Sequence, residues 1–184
     1  VQDGERQKGF VLALKLKNYD KVNSPGSSSI ECLKRSFQIA LDQKAKSHKD
    51  GDYRIFVFPY QGSDKEQAKK TLKVAQAIQS TIDDHNKKFA LKIDYGIGVT
   101  QGEVVLESKS GMTSIHSLDN ATIGAKRAAE LSHGEILISE SVQRNVLGSA
   151  KTEQLKGLGL YTLTRLIDRA EHTAFIDKFM RRQE

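Results

Sequence analysis

Gly98-Val99-Thr100-Gln101-Gly102-Glu103-Val104-Val105 is the stretch that decides how this chain folds. Upstream of it, Ala90 to Val99 carries Ile93, Tyr95, Ile97 and Val99 at alternate positions, the period-two pattern of a half-buried strand. Downstream, Glu103-Val104-Val105-Leu106 is β-branched and apolar, and Gln101-Gly102 between the two runs has the composition of a tight turn. The stretch therefore predicts a β-hairpin, with a helix expected on either side.

On the N-terminal side, Ser63 or Asp64 caps a long helix whose Ala68, Leu72, Ala75, Ile78 and Ile82 share one face. Before that helix, Asp50-Gly51 signals another hairpin, its outgoing strand the run Tyr53 to Phe58 and its incoming strand short and polar. Further back, Ser27-Ser28-Ser29 offers capping hydroxyls to a helix with Ile30, Leu33, Phe37, Ala40 and Leu41 along one stripe. Gly9 to Leu16, nearly apolar on both faces, reads as a central strand. On the C-terminal side come a polar loop from Ser108 to Asn120, a helix from Ala121 to Leu131 and a strand over Glu135 to Ile138. Ser139 then caps a short helix ending near Val146, strands follow at Thr152 to Leu155 and Leu160 to Leu166, and a terminal helix carries Phe175, Ile176 and Phe179. This order predicts an α+β fold, a ferredoxin-like βαββαβ core with extra C-terminal strands and a helix, with helices on one side of a mostly antiparallel sheet. Residues 9–167 are expected to form that domain, with 1–8 an N-terminal extension and 168–184 a helical tail leading into a further domain.

At 184 residues the chain is long enough for one domain with a substantial core. Its 38% hydrophobic and 28% charged residues exclude a disordered or fibrous chain. No apolar run approaches the roughly twenty residues of a membrane span, and no signal peptide opens the sequence, so a cytoplasmic location is expected. The single Cys32 cannot form an internal disulfide and falls in helical register with Ile30, Leu33 and Phe37, a core position. A net charge of +6 favours phosphate-bearing partners, yet the basic residues are dispersed in pairs such as Lys69-Lys70, Lys87-Lys88 and Arg181-Arg182, which reads as solvated helix faces rather than a nucleic-acid surface. His48, His85, His133 and His172 lack metal-ligand spacing and are expected at the surface.

From Phe10 to Leu166 the chain resembles the catalytic domain of the class III adenylate and guanylate cyclases. Gly51-Asp52 and the strand ending at Phe58 resemble that family's Gly-Asp hairpin. The stretch from Gly98 to Val105 resembles its G-I-x-x-G-x-V-V segment, with Thr100 where histidine is common. Ala125-Lys126-Arg127, Gly134-Glu135-Ile136-Leu137-Ile138-Ser139 and Leu155-Lys156-Gly157 are similar to its A-x-R, G-x-I-x-x-S and L-K-G elements.

The resemblance implies a chemistry in which two aspartates hold two divalent ions, magnesium or manganese, while the ribose 3′ oxygen attacks the α-phosphorus and pyrophosphate leaves. The hairpin aspartate matches Asp52, but the first-strand metal position falls on Lys15, an ammonium that repels a cation. The other nearby carboxylate, Asp20, lies beyond the strand. The family's transition-state arginine matches Arg127 and its phosphate-binding lysine matches Lys156, whereas Ile123 stands at its asparagine and the base-reading positions fall on His48 and His116. The resemblance also implies a site built across a two-fold dimer, either a homodimer or a heterodimer with another cyclase-type domain.

These residues favour a catalytically silent cyclase-homology domain, a regulatory module acting by dimerisation and by binding a nucleoside triphosphate, with Lys15, Arg127 and Lys156 as a phosphate site. The alternatives are an active cyclase acting on ATP or GTP with magnesium or manganese, and a nucleic-acid-binding module.

Overall fold

The computed structural model describes residues 5–59, 62–109, 112–115 and 120–167, without the side chains of 5, 6, 107–109 and 112–115. The expected terminal helix over 168–184 and the base-reading position His116 lie outside the described residues. The strands are β1 (Glu5–Leu16), β2 (Lys46–Asp50), β3 (Tyr53–Pro59), β4 (Tyr95–Lys109), β5 (Met112–Ile115), β6 (Ile136–Ser139), β7 (Ala150–Leu155) and β8 (Leu160–Leu166). The helices are α1 (Tyr19–Val22), α2 (Ser28–Asp42), α3 (Asp64–Lys88), α4 (Asn120–Leu131) and α5 (Glu140–Asn145). One sheet of order β2-β3-β1-β4-β6-β8-β7 carries all the strands, with β5 hydrogen-bonded to β4 off that path. Every pairing is antiparallel except β4 with β6, so the α+β, mostly antiparallel expectation holds.

Capping follows the sequence closely. Ser27 accepts from Ile30 N, Ser63 from Glu66 N and Ser139 from Val142 N, each satisfying a backbone donor that the first helical turn leaves free. In α3 the predicted stripe of Ala68, Leu72, Ala75, Ile78 and Ile82 is fully buried. In α2 the stripe is turned slightly: Cys32, Leu33 and Ala40 are buried, while Leu41 is exposed.

The helices do not lie on one side. The even residues of β1 (Phe10, Leu12, Leu14, Leu16) join one core with α2, α3 and α5, whereas Val11 and Ala13 join a second core with Ile55, Val57, Val104, Leu106 and Ala121, Ala125 and Ala129 of α4. A strand apolar on both faces needs both faces covered, and α4 covers the second.

The predicted hairpin turn at Gln101-Gly102 is absent as well. β4 runs unbroken through both residues, pairing Gln101 with Phe10 and Gly102 with Gly9, and turns back into β5 only beyond Lys109. Its glycines serve helix packing instead. A Cβ at Gly98 would lie 2.3 Å from the Ala125 carbonyl oxygen, and one at Gly96 would lie 2.0 Å from that of Ala129. Without side chains at 96 and 98, the backbone of α4 settles directly on β4. Thr100, in the same row, donates its hydroxyl to Ala121 O at 2.6 Å. The predicted incoming strand over residues 90–94 is likewise a loop, held because Asn86 bonds both the N–H and the carbonyl of Ile93, while Asn18 accepts from Asp94 N.

Candidate functional site

The site lies on the α4 side of the sheet, at the end where β1 finishes and the β2–β3 hairpin turns. Lys15 pairs in register with Tyr53 of β3 and with Gly96 of β4, and the next residue, Leu16, donates its N–H to Asp52 O at 2.9 Å. The first-strand position and the Gly-Asp hairpin are therefore neighbours. Residues opposite one another in antiparallel strands share a face, so Lys15 and Tyr53 point the same way, as do the pairs Asp50–Tyr53 and His48–Ile55.

Three charges and one ring make up the centre of this surface. The Lys15 ammonium stands 5.2 Å from the centroid of Tyr53, and Lys126, descending from α4, places its own ammonium 5.0 Å from the same centroid. Lys126 also forms an ion pair with Asp50 at 2.6 Å, both side chains being about two-thirds withdrawn from solvent. Contacts of an ammonium with an aromatic face are worth about 0.5–1 kcal/mol where exposed and more where water is excluded. Tyr53 packs against the second core, so the ring is a fixed platform on which both ammoniums are held. That resolves what Lys15 does in an otherwise apolar strand: its stem follows the sheet and its head reaches the rim and the ring.

The other positions read from sequence are spread out. Asp52 is exposed at the hairpin, and Asp20 is exposed in α1. Ile123 is 48% exposed on α4, and Arg127, one turn later, faces solvent on the same side of the helix. His48 is half-buried on β2. Lys156 sits exposed in the β7–β8 turn. Because β8 pairs Leu160 with Ser139 at the far end of β6, that turn is at the opposite end of the sheet from Lys15. It is also five strand spacings from the β2–β3 hairpin, about 24 Å sideways. One chain therefore does not bring Lys15 and Lys156 together.

These residues do not fit a two-metal centre. A two-metal centre of the implied kind takes two carboxylates at one point, with phosphates and waters completing the shells. Here Asp50 is engaged by Lys126, Lys15 occupies the strand position beside the hairpin, and no group of three or more His, Cys, Asp or Glu side chains gathers anywhere among the described residues.

Sequence reading missed Lys126, Tyr53 and Asp50 as members of the site. A signal existed for the first: Lys126 directly follows buried Ala125 and precedes the buried pair Ala128 and Ala129, at the margin of the helix's packed face. His85 differs from expectation too. It is buried, stacked on Phe89 at 4.7 Å with Nε2 3.2 Å from Leu91 O, whereas His133 is exposed as expected and His172 lies outside the described residues.

This architecture is that of the class III adenylyl and guanylyl cyclase catalytic domain. The non-canonical dimeric guanylyl cyclase domain of the RhoGC fusion protein from the aquatic fungus Blastocladiella emersonii superposes with a TM-score of 0.70 at 18% identity, covering 88% of this chain and 99% of that one. The guanylate cyclase domain of RhGC from Catenaria anguillulae, in complex with GTP, gives 0.68 at 19%, covering 88% and 99%. The adenylyl cyclase CyaB from P. aeruginosa gives 0.64 at 15%, covering 89% and 96%. The sequence matches no protein-family model and no curated protein. Identities this low establish the fold and leave the chemistry to the residues of the site.

Proposed function

We propose that this chain is a catalytically silent cyclase-homology domain, a regulatory module that works by dimerisation and by binding the phosphates of a nucleotide. The observation that supports it most is Lys15, in register beside the Gly-Asp hairpin with its ammonium held on Tyr53. A cation fixed where the fold's chemistry needs a metal-binding carboxylate raises the electrostatic cost of placing a divalent ion there. Ile123 adds to this, since a hydrocarbon side chain donates no hydrogen bond to a transferring phosphoryl group. The fold's known ligand class and the surviving Asp52, Arg127 and Lys156 keep the proposal among nucleotides. Incubation of the purified chain with ATP or GTP and manganese is the test. No cyclic product is expected, and turnover that Asp52→Ala abolishes would overturn the reading.

One observation favours a second reading, an active heterodimer. Asp52 and Lys156 are both solvent-exposed at opposite ends of the sheet, an arrangement that only a second chain can complete. A partner cyclase domain would then contribute the carboxylate that Lys15 replaces. This reading predicts cyclic product from the mixture of the two chains, with Lys156→Ala lowering it.

A further inference from the structure

Lys15 and Lys126 are 111 positions apart in sequence and converge on one ring. Both ammoniums lie about 5 Å from the Tyr53 centroid, so they are separated by no more than the sum of those two distances, within the reach of a single chain of phosphates. Their charge environments differ. Lys126 is paired with Asp50, whereas Lys15 has no carboxylate within ion-pair distance among the described residues. Other ionisable groups on the elements around this surface include exposed Asp52 at the hairpin, half-buried His48 and Lys46 on β2, Lys17 just past β1 with its ammonium on the Ser132 carbonyl, and exposed Arg127 and Glu130 on α4.

We infer that Lys15 and Lys126 form a metal-independent site for the phosphate chain of a nucleoside triphosphate, with Asp50 as an internal competitor that occupies Lys126 until the ligand displaces it. The inference rests on the phosphate-binding part of the function proposed above. Lys15 supplies the positive charge that a divalent ion would bring, and Lys126 supplies a second point of contact once Asp50 is released. Tyr53 holds both heads in place before the ligand arrives, which reduces the ordering cost of binding. The site is therefore opposite in sign to a metal-dependent one. Magnesium neutralises the triphosphate and carries its own charge toward Lys15, so it weakens binding.

Calorimetric titration of the whole chain with ATP, GTP and inorganic triphosphate, each in EDTA and in excess magnesium, tests this. Binding is expected in EDTA and weaker in magnesium. A nucleotide that binds more tightly than inorganic triphosphate identifies the nucleotide as the ligand; equal affinities identify the bare phosphate chain. Lys15→Met and Lys126→Met, which keep the packing stem, are each expected to lose about tenfold in affinity, the loss of one charge-assisted contact, while Lys126→Arg retains binding. Asp50→Asn frees Lys126 and is expected to tighten binding severalfold, a gain that misfolding cannot produce. Binding that requires magnesium, no binding in EDTA, or affinities unchanged in both methionine variants would overturn the inference. None of those results bears on turnover, which the manganese assay reads separately.

Discussion

Tyr95 shows how a single side chain in this fold reports on its surroundings. It opens β4, is almost fully buried, and donates its hydroxyl to Asp83 at 2.6 Å. Burial first, then the bond to Asp83 and that carboxylate's charge, push the phenol well above its ordinary value. The folded state thus holds this proton more tightly than the unfolded chain does. Its contribution to stability is full below the ordinary tyrosine value of about 10 and declines as pH rises above it. Tyr95→Phe is expected to cost about 1 kcal/mol at neutral pH and to flatten the alkaline decline, measured by urea unfolding between about pH 8 and 11; an unchanged alkaline slope would refute this assignment. At the same scale, sequence revealed Lys15 because it is the one charged residue in the apolar run from Gly9 to Leu16. Lys126 was harder to see, because Asp50, the residue that gives it meaning, lies 76 positions away. His85 was misread although it continues the buried stripe of α3, three residues after Ile82 and seven after Ile78; its polarity hid a position that the helical period marks as inward.

Among the elements, β4 and α4 show where sequence patterns are ambiguous. Glycine removes a side chain both where the chain must turn and where another backbone must come close, so Gly102, read as a turn residue, and Gly98, read as part of a strand, can equally be a helix seat. The alternation of Ile97 and Val99 with the glycines marked a strand, and that part was legible. Which strand pairs with which was not, since the contacts between β1 and β4 span about ninety residues. Gly98→Ala separates the two readings. In a strand with open space above it the change would be mild, but against the Ala125 carbonyl oxygen the new methyl forces α4 off the sheet, at a cost of about 3 kcal/mol. That corresponds to a melting temperature roughly 6–12 °C lower for a domain of this size. Gly124→Ala, on the helix side with its nearest neighbour 3.4 Å from the added carbon, is expected to stay within about 1 kcal/mol of the parent. Comparable melts for the two variants would show that the glycine row is not what seats α4.

Considered as a whole, the molecule places the charged residues of the candidate site at opposite ends of the sheet. Asp52 and the Lys15–Lys126 pair are at one end of the sheet, Lys156 is at the other, and α4 lies across the face between them with Ile123 and Leu131 exposed beside Arg127. A lysine side chain cannot span five strand spacings, so any function joining these groups needs two chains arranged so that one chain's Lys156 end meets the other's Lys15 end. A two-fold axis that reverses the sheets does this, and it buries the same patch from both subunits. The exposed apolar residues of α4 are the part of that face which gains most from leaving water. Sedimentation velocity is therefore expected to show a concentration-dependent dimer, and Ile123→Arg is expected to leave a monomer. Because Ile123 is half exposed in the single chain, the same variant should shift the melting temperature of the monomer by only about 2 °C or less. A dimer that tolerates arginine at 123 would place the contact on another face. It would also remove the support for a site that joins Asp52 of one chain to Lys156 of another.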